Sequence, residues 1–435
     1  MNNNNKSRMP TLVLIANHGW TIRNFLLSDF YRKIIKKSIV VICTNLNSND
    51  FNKLGLENVK KIKLLKFKFG WLHERISSRR TQYHFFHTGS ETHKIKISRA
   101  LSKSTFFKKI RIKLEYLIFK WTGGNTILRI LDRIDQWFFT YSKTGQNYMR
   151  IFKHLKPNVV FSTFSVSTDE QIPIYVAQKM GIKTATSITS WDNISSKGRL
   201  PNGCDKYIVW SKHMKNEAQN LHMNLNKENV VVTGTPQYDF NLNKDIYEPR
   251  LEYFKRNNMN PNKKSILYAG CSPGLMPFEH LVFESIIKKL KSLKLFDYYN
   301  IIFRSHPVDP GDRYLDLIEK YPDVIFQLPG LYGKGDGRRL INSISEIKNF
   351  VNTLINTDIH INVASTMSID ASILDKPIIN IKYDKNPNGI PISYGIDVYE
   401  MTHYKTILDL DGISLAQSEE QVIKYIKMYS EDPTF

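Results

Sequence analysis

Cysteine is nearly absent: Cys43, Cys204 and Cys271 are odd in number, far apart, and outside any CxxC or Cys/His pairing. That excludes a disulfide framework or a zinc knuckle and points to a reducing cytoplasm. Long apolar runs are lacking too. The polar stretch Met1 to Pro10 is followed only by Leu12 to Ala16, too short for a signal core or a membrane span, so any membrane is expected to be met from its surface. Gly330 to Gly337 (GLYGKGDG) lacks the Lys-Ser/Thr ending of a Walker A loop and reads as a mobile loop. Asp409-Leu410-Asp411 has the form of a metal-holding DxD, but near the C-terminus and without a nucleotide fold around it. No metal or other cofactor is expected.

Acids are outnumbered, 40 Asp and Glu against 62 Lys and Arg, for a net charge of +22. Such a balance attracts phosphate-rich partners. Between Lys60 and Lys120 stand 17 cations and 3 acids, interleaved with Phe67, Phe69, Trp71, Phe106, Phe107 and Phe119. That mixture suits a nucleic acid or an anionic lipid surface. Arginine is the minority cation and no nucleic-acid motif occurs, so an anionic membrane surface is the expected partner and nucleic acid is not.

At 435 residues with 41% hydrophobic side chains, the chain has material for two domains with separate cores. Strand-like runs alternate with helical patterns from Thr11 to Val232 and again from Ser265 to Ile381, which predicts an α/β architecture of two Rossmann-like, doubly wound domains facing a cleft. The expected boundaries are an N-terminal domain over 1–240 with a basic, aromatic helical insertion near 60–150, a polar linker over 241–264, a second domain over 265–415, and a final helix over 416–435 packing back toward the first domain. Ser418 and Gln421 have the spacing of that helix's capping box.

Polar residues cluster directly after several strands, where open α/β sheets bind ligands. Thr189 to Gly198 (TSWDNISSKG) sets Asp192 beside Trp191, an apolar wall that would raise a carboxyl toward a useful base. Arg304 and His306 end a buried strand and suit phosphate oxygens. Ser365, Thr366 and Ser368 open a helix and offer hydroxyls and amides to an anion. His18, in Asn17-His18-Gly19, lines the first strand-to-helix turn.

These segments fall in an order that resembles the catalytic region of the CDP-glycerol glycerophosphotransferase family and, more widely, nucleotide-sugar glycosyltransferases of GT-B fold. The matching stretches are Ser190-Trp191-Asp192-Asn193, Tyr207 to Ser211 (YIVWS), Val232 to Asp239 (VTGTPQYD), Ile266 to Gly270 (ILYAG), Arg304 to Pro307 (RSHP) and Ala364 to Ser368 (ASTMS), within residues 155 to 385. Asp192 stands where that family has His, and Val363-Ala364 where it has Asp-Tyr. An HP motif with a Ser-Thr motif also resembles bacterial sialyl- and Kdo transferases, which use CMP-linked donors and a carboxylate base.

The resemblance implies a cytoplasmic, membrane-peripheral, metal-independent, inverting glycosyltransferase of surface polysaccharide assembly, such as capsule or O-antigen. It would move a sugar from a CMP-, CDP- or UDP-linked donor to a glycan or lipid-linked acceptor. Asp192 is the expected base, with His18 and Glu170 in reserve. Trp191, Asn193 and Lys197 would face the acceptor, and Arg304, His306, Ser365, Thr366, Ser368, Gly270 and Ser272 the donor. A CDP-polyol phosphotransferase, a sugar-nucleotide 2-epimerase and a basic nucleic-acid-binding module are the alternatives.

Overall fold

Buried parallel strands read as continuous apolar runs because helices cover both sheet faces. In the computed structural model, which describes residues 9–56, 59–329, 343–386 and 393–434, such runs build two sheets in two separate units, divided between Pro236 and Gln237. The first sheet contains β1 (Thr11–Ile15), β2 (Ile39–Thr44), β3 (Lys60–Lys63), β4 (Val159–Ser162), β5 (Lys183–Ser187), β6 (Lys206–Val209) and β7 (Val230–Val232). Its order is β3-β2-β1-β4-β5-β6-β7, all parallel, with Val13 of β1 opposite Val41 on one side and Val160 on the other. β3 has no apolar run. It is a lysine-covered edge strand of sequence KKIK with only Ile62 turned partly inward, a composition that discourages further pairing.

Helices α1 (Gly19–Leu26), α2 (Asp29–Ile34) and α3 (Ser48–Lys53) connect the first strands. The expected insertion is helical, but it starts only after β3: α4 (Trp71–Thr88), α5 (Glu91–Ser102), α6 (Phe106–Trp121), α7 (Asn125–Tyr141) and α8 (Lys143–Leu155). Gly123, at φ +69°, makes the break between α6 and α7. Then follow α9 (Thr168–Lys179), α10 (Asn193–Ser196) and α11 (Lys212–Leu221).

A buried ion network fastens the insertion. Arg80 of α4 donates to Asp132 at 2.7 Å and to Asp135 at 2.8 Å, both on α7, and Arg199, just past α10, donates to Asp132 at 2.9 and 3.1 Å. Two guanidiniums thus meet two carboxylates, and hydrogen bonds from Arg199 together with the charges of both arginines hold Asp132 low despite its burial. Beside it lie the buried imidazoles of His84, His93 and His222, with His84 4.7 Å from His222 between ring centroids. Burial first, then neighbouring cations, pushes all three down, His93 to about 3 and His222 to about 4.

The second sheet contains β8 (Lys264–Ala269), β9 (Tyr299–Arg304), β10 (Val324–Gln327), β11 (Ile359–Asn362), β12 (Ile378–Ile381) and β13 (Ser414–Ala416), ordered β10-β9-β8-β11-β12-β13 and again parallel. Its helices are α12 (Arg250–Arg256), α13 (Glu279–Ser292), α14 (Leu315–Lys320), α15 (Ile344–Asn356), α16 (Met367–Ser372), α17 (Tyr394–Asp397), α18 (Thr402–Leu408) and α19 (Glu419–Glu431). Two expectations fail here. The stretch 241–264 is not a plain linker: α12 buries Tyr253 and Phe254 against Leu267, Ile302 and Leu354. Two adjacent aromatics on so short a helix give no periodic signal. The last helix does begin at Ser418, whose Oγ accepts the Gln421 N–H at 3.4 Å, but Val422, Ile423, Ile426 and Tyr429 enter the second unit's own core beside β12, β13 and α13. An apolar face predicts burial without naming the partner. The glycine-rich stretch 330–337 lies outside the described residues.

Removing Asp132 leaves the buried Arg199 guanidinium without its carboxylate and Arg80 with Asp135 alone, so Asp132→Ala should cost about 3–5 kcal/mol in denaturant unfolding. The histidines predict acid sensitivity. An unfolded imidazole binds its proton near pH 6.5, above the folded values of His93 and His222, so the unfolded state holds more protons in between. Stability should therefore fall as pH drops from about 7 to about 5, and His222→Leu should flatten that slope in a melting series.

Candidate active site

In a doubly wound sheet the ligand crevice lies where successive connections diverge to opposite sides. In the first unit that point is between β1 and β4. The turn after β1 places His18 against the turn after β4: its ring stacks on Trp20 at 5.1 Å and meets Phe164 edge-on at 4.6 Å. Thr163 Oγ1 donates to the Ile15 carbonyl at 2.6 Å and closes the two strand ends together. Under this turn Glu170 accepts from Ser162 Oγ at 2.7 Å and from the Phe164 N–H at 2.9 Å, while its other oxygen has no hydrogen-bond partner among the described residues. Burial raises it to about 7. Glu170 is wholly enclosed, so the expected reserve base instead holds the backbone on which His18 leans.

The loop after β5 carries Asp192 at the start of α10. Its two oxygens accept from Ser190 Oγ and, at 2.6 Å, from Ser196 Oγ. This corrects the apolar wall: Trp191 packs on the sheet core, and hydroxyls orient the carboxylate. Asn193 is buried, and Lys197 projects outward. Two residues that sequence reasoning missed join the loop. Lys96 of α5 donates to the Ser196 carbonyl, and burial and Lys197 bring it down to about 8 against the opposing pull of Asp192. Glu217 of α11 bonds Ser195; burial raises it to about 7, with the Asp192 charge adding to the effect. Both lie on helices remote in sequence, where only tertiary packing reveals them. Along the same carboxyl edge, at the ends of β2 and β3, a cavity of about 690 Å³ is lined by Lys63, Lys66, Lys68 and Lys143 with Ser142 and Thr144.

The second unit's divergence point is between β8 and β11. Gly270 follows β8, and a Cβ there would lie 3.2 Å from the Phe303 ring and 3.3 Å from the Arg304 carbonyl, so the turns after β8 and β9 approach as glycine permits. Ser272 opens the next turn, accepting through its carbonyl from Leu275 and Met276. Glu279 anchors this loop: both its oxygens accept the Cys271 N–H, at 2.9 and 2.8 Å, and Arg313 and Tyr314 bond it too. Sequence reasoning missed Glu279, whose one signal is a carboxylate at the head of the apolar face Val282, Phe283, Ile286.

His306 Nδ1 accepts the Val308 N–H at 3.1 Å. Burial lowers the ring to about 4, so at neutral pH its single proton sits on Nε2, a neutral donor. Arg304 departs from expectation: its guanidinium is committed to Glu346 and, at 2.7 Å, to Gln327. Ser368 departs too. Its hydroxyl is enclosed among Asn362, Asn380 and Tyr404, at 3.1 to 3.2 Å. Ser365 and Thr366 remain half-exposed at the turn, where Ala364 adopts φ +36°. Such a conformation is costly for an L-residue and persists only when its surroundings hold it. Tyr399 does so: its hydroxyl accepts the Ala364 N–H and donates to the Ile381 carbonyl, each at 2.9 Å.

With this geometry in place, comparison with known proteins separates fold from activity. No family model matches the chain. A UDP-GlcNAc 2-epimerase from Neisseria meningitidis, solved with UDP-GlcNAc bound, superposes over 98% of this chain and 92% of its own, with TM-score 0.53 and 10% identity. The UDP-GlcNAc 2-epimerase from Methanocaldococcus jannaschii covers 96% and 92%, with TM-score 0.51 and 12% identity. The fold is GT-B. In sequence, 234 residues are 26% identical to the teichoic acid poly(ribitol-phosphate) polymerase of Bacillus spizizenii, covering 51% of this chain and 32% of that one, so the chain matches about a third of that relative's length. Among the described residues, no helix is long and apolar enough to cross a membrane.

The strained turn gives a direct test of its support. Tyr399→Phe leaves the Ala364 N–H and the Ile381 carbonyl without their partner and should cost about 1–3 kcal/mol in urea unfolding, while weakening whatever ligand binds at Ser365 and Thr366.

Proposed function

We propose that the protein is a glycosyltransferase of bacterial surface-polymer assembly, transferring a sugar from a nucleotide-linked donor to a glycan or lipid-linked acceptor. The observation that carries this is the sequence match to a teichoic acid polymerase in a chain whose two crevice turns hold the groups such a transfer needs. The second unit binds the donor. Ser365 and Thr366 offer hydroxyls to the phosphates, Gly270 lets backbone come close, and His306 donates its Nε2 proton to the oxygen that becomes charged as the nucleotide leaves. A donor fixed in advance at that oxygen stabilises the transition state more than the ground state. Arg304, already paired, shapes the end of β9 and so positions His306.

The first unit binds the acceptor. Asp192, oriented by Ser190 and Ser196, takes the proton from the attacking hydroxyl, and Glu217, raised to about 7 by burial, lies close by on Ser195. One displacement with a simple base inverts the donor carbon. The lysine-lined cavity beside β3 supports an acceptor that carries phosphate. The transfer is proposed to need no metal, and turnover should survive EDTA.

A second reading, transfer of a polyol phosphate from a CDP-linked donor, is favoured by the relative's poly(ribitol-phosphate) product, and both reactions release a nucleotide. A thermal-shift panel of CMP, CDP, UDP, GDP and dTDP identifies the donor class: one nucleotide should raise the melting temperature selectively, and His306→Ala should abolish that shift. Asp192→Asn should abolish transfer while leaving the shift intact. Retained transfer in that variant would remove Asp192 as base, and a free epimer released without any acceptor would replace the transferase reading altogether.

A further inference from the structure

Helix α6 has two faces of opposite fate. Toward the protein, Phe119 packs with Tyr83 and Leu128, and Glu115 is buried against Arg79. Outward, Phe107, Ile110, Leu114, Leu117 and Trp121 repeat at alternating spacings of three and four, which places them on one stripe. All are exposed, from 40% for Ile110 to 82% for Phe107 and 89% for Trp121. Lys113 and Lys120 border the stripe on one side and Arg111 on the other.

We infer that this face of α6 docks on an anionic membrane surface, with its apolar stripe among the acyl chains and its bordering cations at the lipid phosphates. Charge selects the occupant. Glu115 is the helix's sole acid and is turned inward to Arg79 and Arg111, so the outer surface carries only cations, which a second copy would repel and anionic lipid would attract. Size agrees. The fourteen helical steps from Phe107 to Trp121 span about 21 Å, and a strip of that length covers a few hundred Å², short of the roughly 800 Å² per partner of a stable protein interface. An amphipathic helix lying in the interface needs only apolar depth and cationic borders. The inference is independent of the donor and acceptor assignments, since none of these residues belongs to the candidate active site.

Flotation of the full chain with vesicles tests it. Binding is expected to phosphatidylglycerol–phosphatidylcholine vesicles, weak or absent with phosphatidylcholine alone. Leu114→Glu with Leu117→Glu should reduce the bound fraction on the order of tenfold, and Lys113→Glu with Lys120→Glu should remove the preference for anionic lipid. Because the four side chains are exposed, circular dichroism and melting temperature should stay unchanged, and so should the nucleotide-induced thermal shift. Equal flotation with both vesicle types, undiminished binding of the Leu114→Glu/Leu117→Glu variant, or a dimer in sedimentation velocity that this variant disperses would overturn the inference.

Discussion

The carboxylate of Asp132 is the point on which the first unit's architecture turns. It is buried on α7, in the middle of an insertion that no strand of the sheet requires, and it is gripped by Arg80 from within that insertion and by Arg199 from the loop that follows α10. Arg199 stands seven positions after Asp192 on the same loop. A charge pair of this kind is a poor source of net stability compared with apolar packing of equal volume, but its partial loss is severe. Its effect is geometric: the helices of the insertion and the loop carrying the proposed base are held as one body. Lys96 extends that coupling, since α5 reaches across to donate to Ser196, whose hydroxyl holds Asp192.

This explains why polar residues at the two crevices divide into those that face a ligand and those that hold the loops. Parallel strands end in turns whose backbone groups must find partners, and here buried side chains supply them. Glu170 does so after β4, Glu279 after β8, and Tyr399 after β11. The tips themselves, with His18, Asp192, His306, Ser365 and Thr366, are left half-exposed, and rigid support beneath an accessible tip is what a preorganised site needs.

What could be read from the chain beforehand follows the same division. The strands were legible because β-branched runs such as Val159 to Phe161 and Ile378 to Ile381 have no other stable fate in an alternating pattern, and the tips were legible because polar residues directly after such runs stand out. The lysine-rich β3 gave no such signal, since an edge strand needs little apolar content. The roles of Arg304 and Ser368 were misjudged for one reason: sequence shows that a polar side chain ends a strand or opens a helix but not which way it turns, and both turn inward, to Glu346 and to Asn362. Lys96 and Glu217 were invisible because their relation to Asp192 exists only through the packing of α5 and α11 on α10.

The basic insertion joins these considerations. The charge of the whole basic stretch from Lys60 onward, read along the sequence, is a single excess, yet the fold sorts much of it into three populations. Arg80 is spent inside against Asp132 and Asp135; Lys63, Lys66, Lys68 and Lys143 line a cavity on the carboxyl edge; Lys113, Lys120 and Arg111 border the apolar stripe of α6. The first population is neutralised within the protein, and of the third Arg111 is paired with Glu115. The lysines of the other two retain their attraction for phosphate, one set in a concave cavity and one on a convex helix. Because the insertion is locked to the Asp192 loop through Asp132, any surface that α6 binds is held in fixed relation to the proposed base.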